Sequence, residues 1–220
     1  MNNQTIAIIP VKDFEYSKLR LSNILNHTER KNLSFYMLED VLTILDSINS
    51  ITKIIITTSM KNNINIKKYP KAEIIYDCAT DINESLFNAI GYCKKFNTDQ
   101  ILILPSDIPL ITPADIIELL NTKIKSNSDI IIVPSNRNDG TNSLLFNSDL
   151  NIKTYFGKNS FKLHKSEYSH HFKTKIVKIF RIGIDIDIVE DLKVFLEYSK
   201  SITNYSLAYL QAINFSSRIQ

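Results

Sequence analysis

Short β-branched runs alternate with segments of helical period along most of this chain. Thr5 to Val11, Lys53 to Thr57, Ala72 to Tyr76, Ile101 to Leu104, Asp129 to Val133 and Ser143 to Phe146 read as strands. Between them, Lys31 to Ile48 places Leu33, Met37, Val41, Ile44, Leu45 and Ile48 at helical spacing. Asn83 to Phe96 does the same, and a further helix runs from Pro113 to Ile124, with Thr112 as its N-cap and Pro113 in its first turn. Strands alternating with helices predict an α/β sandwich around a mostly parallel central sheet. Lys12 to Arg30 is polar and without clear period, a long loop with short helical pieces. Later, a short helix is expected over Phe161 to Tyr168, strands over Lys175 to Ile182 and Ile184 to Ile188, and helices over Val189 to Tyr198 and Thr203 to Ile213.

The 220 residues suit a single domain, 1–220, with 203–220 as a C-terminal helix and tail. No apolar stretch of about 18 residues occurs and no signal peptide opens the chain, so a cytoplasmic protein without membrane association is expected. Cys78 and Cys93 lack metal-ligand or redox spacing and read as reduced thiols. A net charge of +3 is too small to argue for nucleic acid. Its distribution says more: Lys153 to Arg181 holds eight Lys/Arg, one acid (Glu167) and His164, His170 and His171. That local excess suits a small anionic substrate, although a solvated lysine-rich face gives the same pattern. The apolar-aromatic C-terminal helix makes core packing or a homodimer its expected use.

Asp107 follows the buried run that ends at Pro105. A charged carboxylate beside such a strand needs a partner, and ligands of open α/β sheets bind at the carboxyl ends of the strands. Asp185 and Asp187 form a second acidic site; on a strand they would face one volume. Carboxylates brought together repel unless a divalent cation neutralises them, and hard oxygen ligands beside phosphates point to Mg²⁺. The plainer readings are a turn cap for Asp107 and an alternating edge strand for the other two.

The chain has only four glycines, Gly91, Gly140, Gly157 and Gly183, where average usage predicts roughly fifteen. Three fall in Asp139-Gly-Thr-Asn142, Phe156-Gly-Lys-Asn-Ser-Phe161 and Gly183-Ile-Asp-Ile-Asp187; Gly91 reads as a helix packing position. The first two segments offer backbone N–H groups and hydroxyls to a small anion. Pro10-Val-Lys12 and Ser17-Lys-Leu-Arg-Leu-Ser22 form a loop without glycines, which excludes a Walker loop and a dinucleotide fingerprint, but its Lys and Arg can hold phosphate oxygens.

The order of Ile9-Pro-Val-Lys12, Ser17-Lys-Leu-Arg-Leu-Ser22, Leu104-Pro-Ser-Asp-Ile-Pro-Leu110, Asp139-Gly-Thr-Asn-Ser-Leu-Leu145, Tyr155-Phe-Gly-Lys-Asn-Ser-Phe161, His164 and Ile184-Asp-Ile-Asp-Ile-Val-Glu-Asp-Leu192 resembles the 2-phospho-L-lactate guanylyltransferase family of coenzyme F-420 biosynthesis. The resemblance spans nearly the whole chain. It implies a three-layer, Rossmann-like sandwich of the glycosyltransferase-A type, shared with the molybdopterin guanylyltransferase-like superfamily. It also implies transfer of GMP from GTP to the phosphate of a three-carbon phospho-acid (2-phospho-L-lactate, phosphoenolpyruvate or 3-phosphoglycerate), with release of pyrophosphate. Carried over by position, Pro10, Val11, Lys12, Lys18, Arg20 and Asn83 would line the nucleotide site, and Thr141, Gly157 and Ser160 would hold the acceptor. Asp107, Asp185 and Asp187 would hold Mg²⁺, and Lys12, Arg20 and Asp107 would be catalytic. Asp139 stands where the family usually shows a glycine, and Asp77-Cys-Ala-Thr-Asp-Ile82 replaces a glycine-rich loop. The alternatives are a nucleotidyltransferase of this fold acting on a sugar phosphate or molybdenum cofactor, and a non-catalytic nucleotide-binding relative.

Overall fold

The computed structural model describes residues 3–59, 64–199, 202 and 204–218. Its strands are β1 (Thr5–Val11), β2 (Ile51–Thr58), β3 (Ala72–Tyr76), β4 (Gln100–Ile103), β5 (Ile130–Pro134), β6 (Thr141–Asn147) and β7 (Thr174–Ile176). They form one sheet in the order β3-β2-β1-β4-β6-β5-β7. All neighbouring pairs are parallel except those of β6, which runs antiparallel to β4 and β5. The helices are α1 (His27–Ser47), α2 (Ile82–Cys93), α3 (Pro113–Ser126), α4 (Ser160–Ser169), α5 (Val189–Tyr198) and α6 (Tyr205–Ala212).

The two-residue period of the strands sorts the core into layers. Ala7, Ile9, Val11, Leu102 and Leu104 pack with Leu38, Val41, Leu42 and Leu45 of α1 and Ile116, Leu119 and Leu120 of α3. Ile6, Ile8, Ile101 and Ile103 pack the other way, with Leu86, Ala89, Ile90 and Cys93 of α2 and Tyr168 of α4. Burying each such aliphatic side chain contributes about 2 kcal/mol before conformational entropy is counted. A third cluster joins Leu21, Leu25, Leu33 and Met37 to Ile184, Ile186, Leu192, Phe195, Leu210 and Phe215. It fastens the C-terminal helices against the long loop after β1.

Most expected elements are present. α1 begins four residues before the expected start, because Asn26 and Glu29 form a reciprocal capping box that admits the polar turn His27-Thr-Glu-Arg30. Thr112 and Asp115 form the same device at α3, behind Pro113. Two expected strands fail. The strand over Lys175 to Ile182 shrinks to β7, since Gly183 N–H closes a turn onto the Ile179 carbonyl. No strand forms over Ile184 to Ile188; its backbone meets the segment after β4 through Ile186 N–H to the Asp107 carbonyl at 3.0 Å. Gly91 is not a packing position, because a Cβ there would meet no atom within 4 Å. Thr203, the expected first residue of the last helix, lies outside the described residues, and α6 starts at Tyr205.

Candidate active site

The carboxyl ends of β1, β2, β3 and β4 open onto one edge of the sheet. Because β6 is antiparallel, its first residue, Thr141, meets the same edge. A cleft of about 520 Å³ lies there, lined by Pro10, Lys12, Tyr16, Lys18, Asp107 and Asp187 among others. A hollow of about 210 Å³ adjoins it across Pro10, Val11 and Lys12 and is walled by Thr57, Asp77, Asp81 and Ser85.

Lys18 holds the cleft together. It lies in the left-handed region (φ 54°) between two short 3-10 turns, which turns its side chain inward, where it is 7% exposed. Its ammonium donates to Asp107 Oδ2 at 2.6 Å and to Asp187 Oδ1 at 2.8 Å. Burial works against that charge, but the two carboxylates outweigh it and hold the lysine pKa above its usual value. Burial likewise tends to raise Asp187, and Lys18, with help from Arg20 and Arg137, reverses the effect and holds it below the usual carboxylate range. Asp107 Oδ1 is buried without a hydrogen-bond partner.

Asp185 is held differently. It accepts from Asn142 Nδ2 at 3.1 Å and faces Arg137 at 3.3 Å. Burial, then the Asp107 and Asp187 charges, raise its pKa. The two aspartates do not lie on a strand, yet their alternation survives: Ile184 and Ile186 are buried in the C-terminal cluster, so Asp185 and Asp187 turn the other way. Asp191 fixes the segment by accepting from the Asp187 and Ile188 N–H groups at 2.9 and 3.0 Å. Gly183 allows close passage of Asn136, whose Oδ1 would lie 2.2 Å from any Cβ added there. Among the described residues, no three His, Cys, Asp or Glu side chains form a ready-made metal group; Lys18 stands between Asp107 and Asp187.

The other side of the site is joined at its buried groups by neutral hydrogen bonds. Thr141 N–H donates to Ser160 Oγ at 2.9 Å. Gly157, at φ +125°, makes the turn into α4, a conformation L side chains rarely adopt. Asn83 stands apart from the nucleotide-side residues. Its carboxamide grips the Phe156 backbone in both directions, at 2.7 and 3.0 Å, and it lines a separate hollow with Phe87 and Thr154. Arg20 is exposed and reaches the site through its charge on Asp187. Asp139 turns back to accept from Ser135 Oγ at 2.7 Å, and its side chain is 65% exposed. The sequence reading missed Arg137, which bridges Asp185 and Asp191. Its place two residues before the Asp139-Gly turn, opposite an acidic segment, was the available signal.

A mostly parallel sheet with carboxylates and lysines at its carboxyl edge suits a nucleotidyltransferase. The solved structure of a Desulfovibrio desulfuricans protein described as a nucleotide-diphospho-sugar transferase superposes with a TM-score of 0.80, covering 99% of this chain and 98% of that one at 16% identity, which shows the fold. The chain belongs to the guanylyl transferase CofC-like family, whose model matches residues 5–220. It is 31% identical to the 2-phospho-L-lactate guanylyltransferase of Methanosphaera stadtmanae, over 96% of this chain and 91% of the relative. It is 28% identical to the phosphoenolpyruvate guanylyltransferase of Conexibacter woesei, over 88% and 87%. It is an enzyme of the guanylyltransferase type. No helix among the described residues is long and apolar enough to cross a membrane.

Proposed function

We propose that the chain transfers GMP from GTP to the phosphate of a three-carbon phospho-acid, in coenzyme F-420 biosynthesis. The observation that carries this reading is the Lys18 bridge between Asp107 and Asp187 in the cleft. Pro10, Val11 and Lys12 border both the cleft and the adjoining hollow, which suits triphosphate in the first and nucleoside in the second. Lys12, Lys18 and Arg20 supply the positive charge for the phosphates. Thr141, Gly157 and Ser160 form the acceptor side, from hydroxyls and the N-terminus of α4.

In the reaction an acceptor phosphate oxygen attacks the α-phosphorus of GTP. The bond from that phosphorus to the β-bridging oxygen breaks, and pyrophosphate leaves with the electron pair. No covalent protein intermediate is needed, only alignment and charge neutralisation. The residues fit Mg²⁺. Asp107 keeps one buried oxygen without a partner, Asp185 and Asp187 flank it, and Mg²⁺ characteristically takes one or two carboxylates plus substrate phosphates rather than a full protein cage. When bound, the ion neutralises phosphate charge.

The test offers GTP, ATP, CTP and UTP against phospholactate, phosphoenolpyruvate and 3-phosphoglycerate, with Mg²⁺, and follows pyrophosphate. Release that requires GTP and one of the acids is expected. A folded protein that releases none with any pair overturns the reading.

A further inference from the structure

His164 has no part in the transfer described above, yet it is 0% exposed and both of its ring nitrogens are hydrogen-bonded. Tyr155 N–H donates to its Nε2 at 2.8 Å. A backbone N–H can only donate, so Nε2 accepts and carries no proton. Burial pushes the imidazole pKa down to about 4, against a smaller pull from the Ser160 backbone. The one ring proton therefore sits on Nδ1, 2.9 Å from Thr141 Oγ1. Thr141 Oγ1 and the Ser160 backbone share it, which leaves the Thr141 proton for another partner. Ser160 Oγ is likewise an acceptor, from Thr141 N–H, and keeps its own proton. The rings of Tyr155, Phe156 and Tyr168 pack around the imidazole and fix its orientation.

We propose that His164 is a positioning residue: a neutral imidazole that makes the Thr141 hydroxyl a donor to the phosphate or carboxylate oxygens of the acceptor. The proposal rests on the reading of Thr141 as acceptor-binding. Its chemical sense is that an oxyanion accepts and never donates, so a hydroxyl facing it must present its proton. The relay also starts at Tyr155, two residues before Gly157, and so ties the acceptor loop to the start of β6.

The test compares His164→Phe, His164→Gln and Thr141→Val, with both substrates varied. His164→Phe keeps a ring and removes both nitrogens; the acceptor KM is expected to rise about tenfold while the GTP KM stays put. His164→Gln, whose carbonyl can accept from Tyr155 and whose amide can donate to Thr141, should recover most of the loss. The double variant His164→Phe/Thr141→Val should be no worse than Thr141→Val alone. A folded His164→Phe enzyme with an unchanged acceptor KM, or with both KM values raised alike, overturns the relay. If Thr141→Val itself leaves the acceptor KM unchanged, the assignment of Thr141 fails and the relay falls with it. That result differs from a relay failure, in which Thr141→Val is damaging and His164→Phe silent. Nitrogen NMR of the ring decides independently of turnover. A neutral imidazole protonated on Nδ1 from about pH 8 to 5 is expected, and a proton on Nε2 or a charged ring at pH 6 overturns the proposal.

Discussion

The two parts of the candidate site are built on opposite electrostatic plans. Around Lys18, charges from distant parts of the chain, Asp107 and Asp187, meet in one ion-pair cluster. Around Thr141, the start of β6 meets α4 and its entry loop through neutral hydrogen bonds, and the buried His164 imidazole is held uncharged. The difference fits the two tasks. A triphosphate and a cation bring large charges that need countercharge, whereas a small phospho-acid needs directed donors to fix one oxygen in line. It also makes the two sides fail differently.

The largest effect is expected on the charged side. Lys18→Met takes from Asp107 and Asp187 the ammonium that bridges them; both carboxylates keep some solvent and Asp187 keeps the charges of Arg20 and Arg137, so the cost is about 1–2 kcal/mol of stability. Turnover should also fall by about 10²- to 10³-fold. Denaturant midpoints and pyrophosphate release measure the two losses, and a variant near wild type in both would dissolve the contrast between the sides.

On the neutral side the effect appears as pH dependence. His164 has a folded pKa near 4 against an ordinary value of 6.5. Its neutral form is the one the fold favours, so its contribution is fully present above about pH 6.5 and is lost as pH falls through 4. The shift corresponds to about 3 kcal/mol. Unfolding of wild type and His164→Gln between pH 7 and 4 should show a steeper decline in the wild type; parallel curves would refute it.

Asn83→Ala should be milder. It removes both hydrogen bonds to the Phe156 backbone, costing about 1–2 kcal/mol. If the clamp serves the acceptor loop, the acceptor KM should rise more than the GTP KM. The opposite order would return Asn83 to the nucleotide side, where the family resemblance put it. Smallest of all is Asp139→Gly. That side chain is exposed and turned toward Ser135, so thermal unfolding should move by no more than about 0.5 kcal/mol and acceptor preference should not change.

The strands and helices could be read from the sequence where period and caps coincide, as at Thr112-Pro113 and over Ala72–Tyr76. Reading failed where tertiary contacts decide. Ile184 to Ile188 has strand-like alternation, but its isoleucines anchor in the C-terminal cluster and its backbone joins the Asp107 segment through Ile186 N–H, so no ladder forms. Asp107 could be singled out because a carboxylate follows a buried run. Its union with Lys18, 89 residues away, is not a local property and depends on a left-handed lysine that no propensity marks. The same holds for Arg137, while His164 stands in the family pattern but its burial against Thr141, 23 residues away, is likewise not a local property.

The division of the site is tested most directly by the KM values of Lys12→Ala and Thr141→Val for both substrates. Lys12 lines the cleft and its adjoining hollow, and Thr141 heads β6. The account predicts that Lys12→Ala raises the GTP KM and spares that of the acceptor, and that Thr141→Val does the reverse. If each variant raises both constants equally, the two sides are one site and the account is wrong.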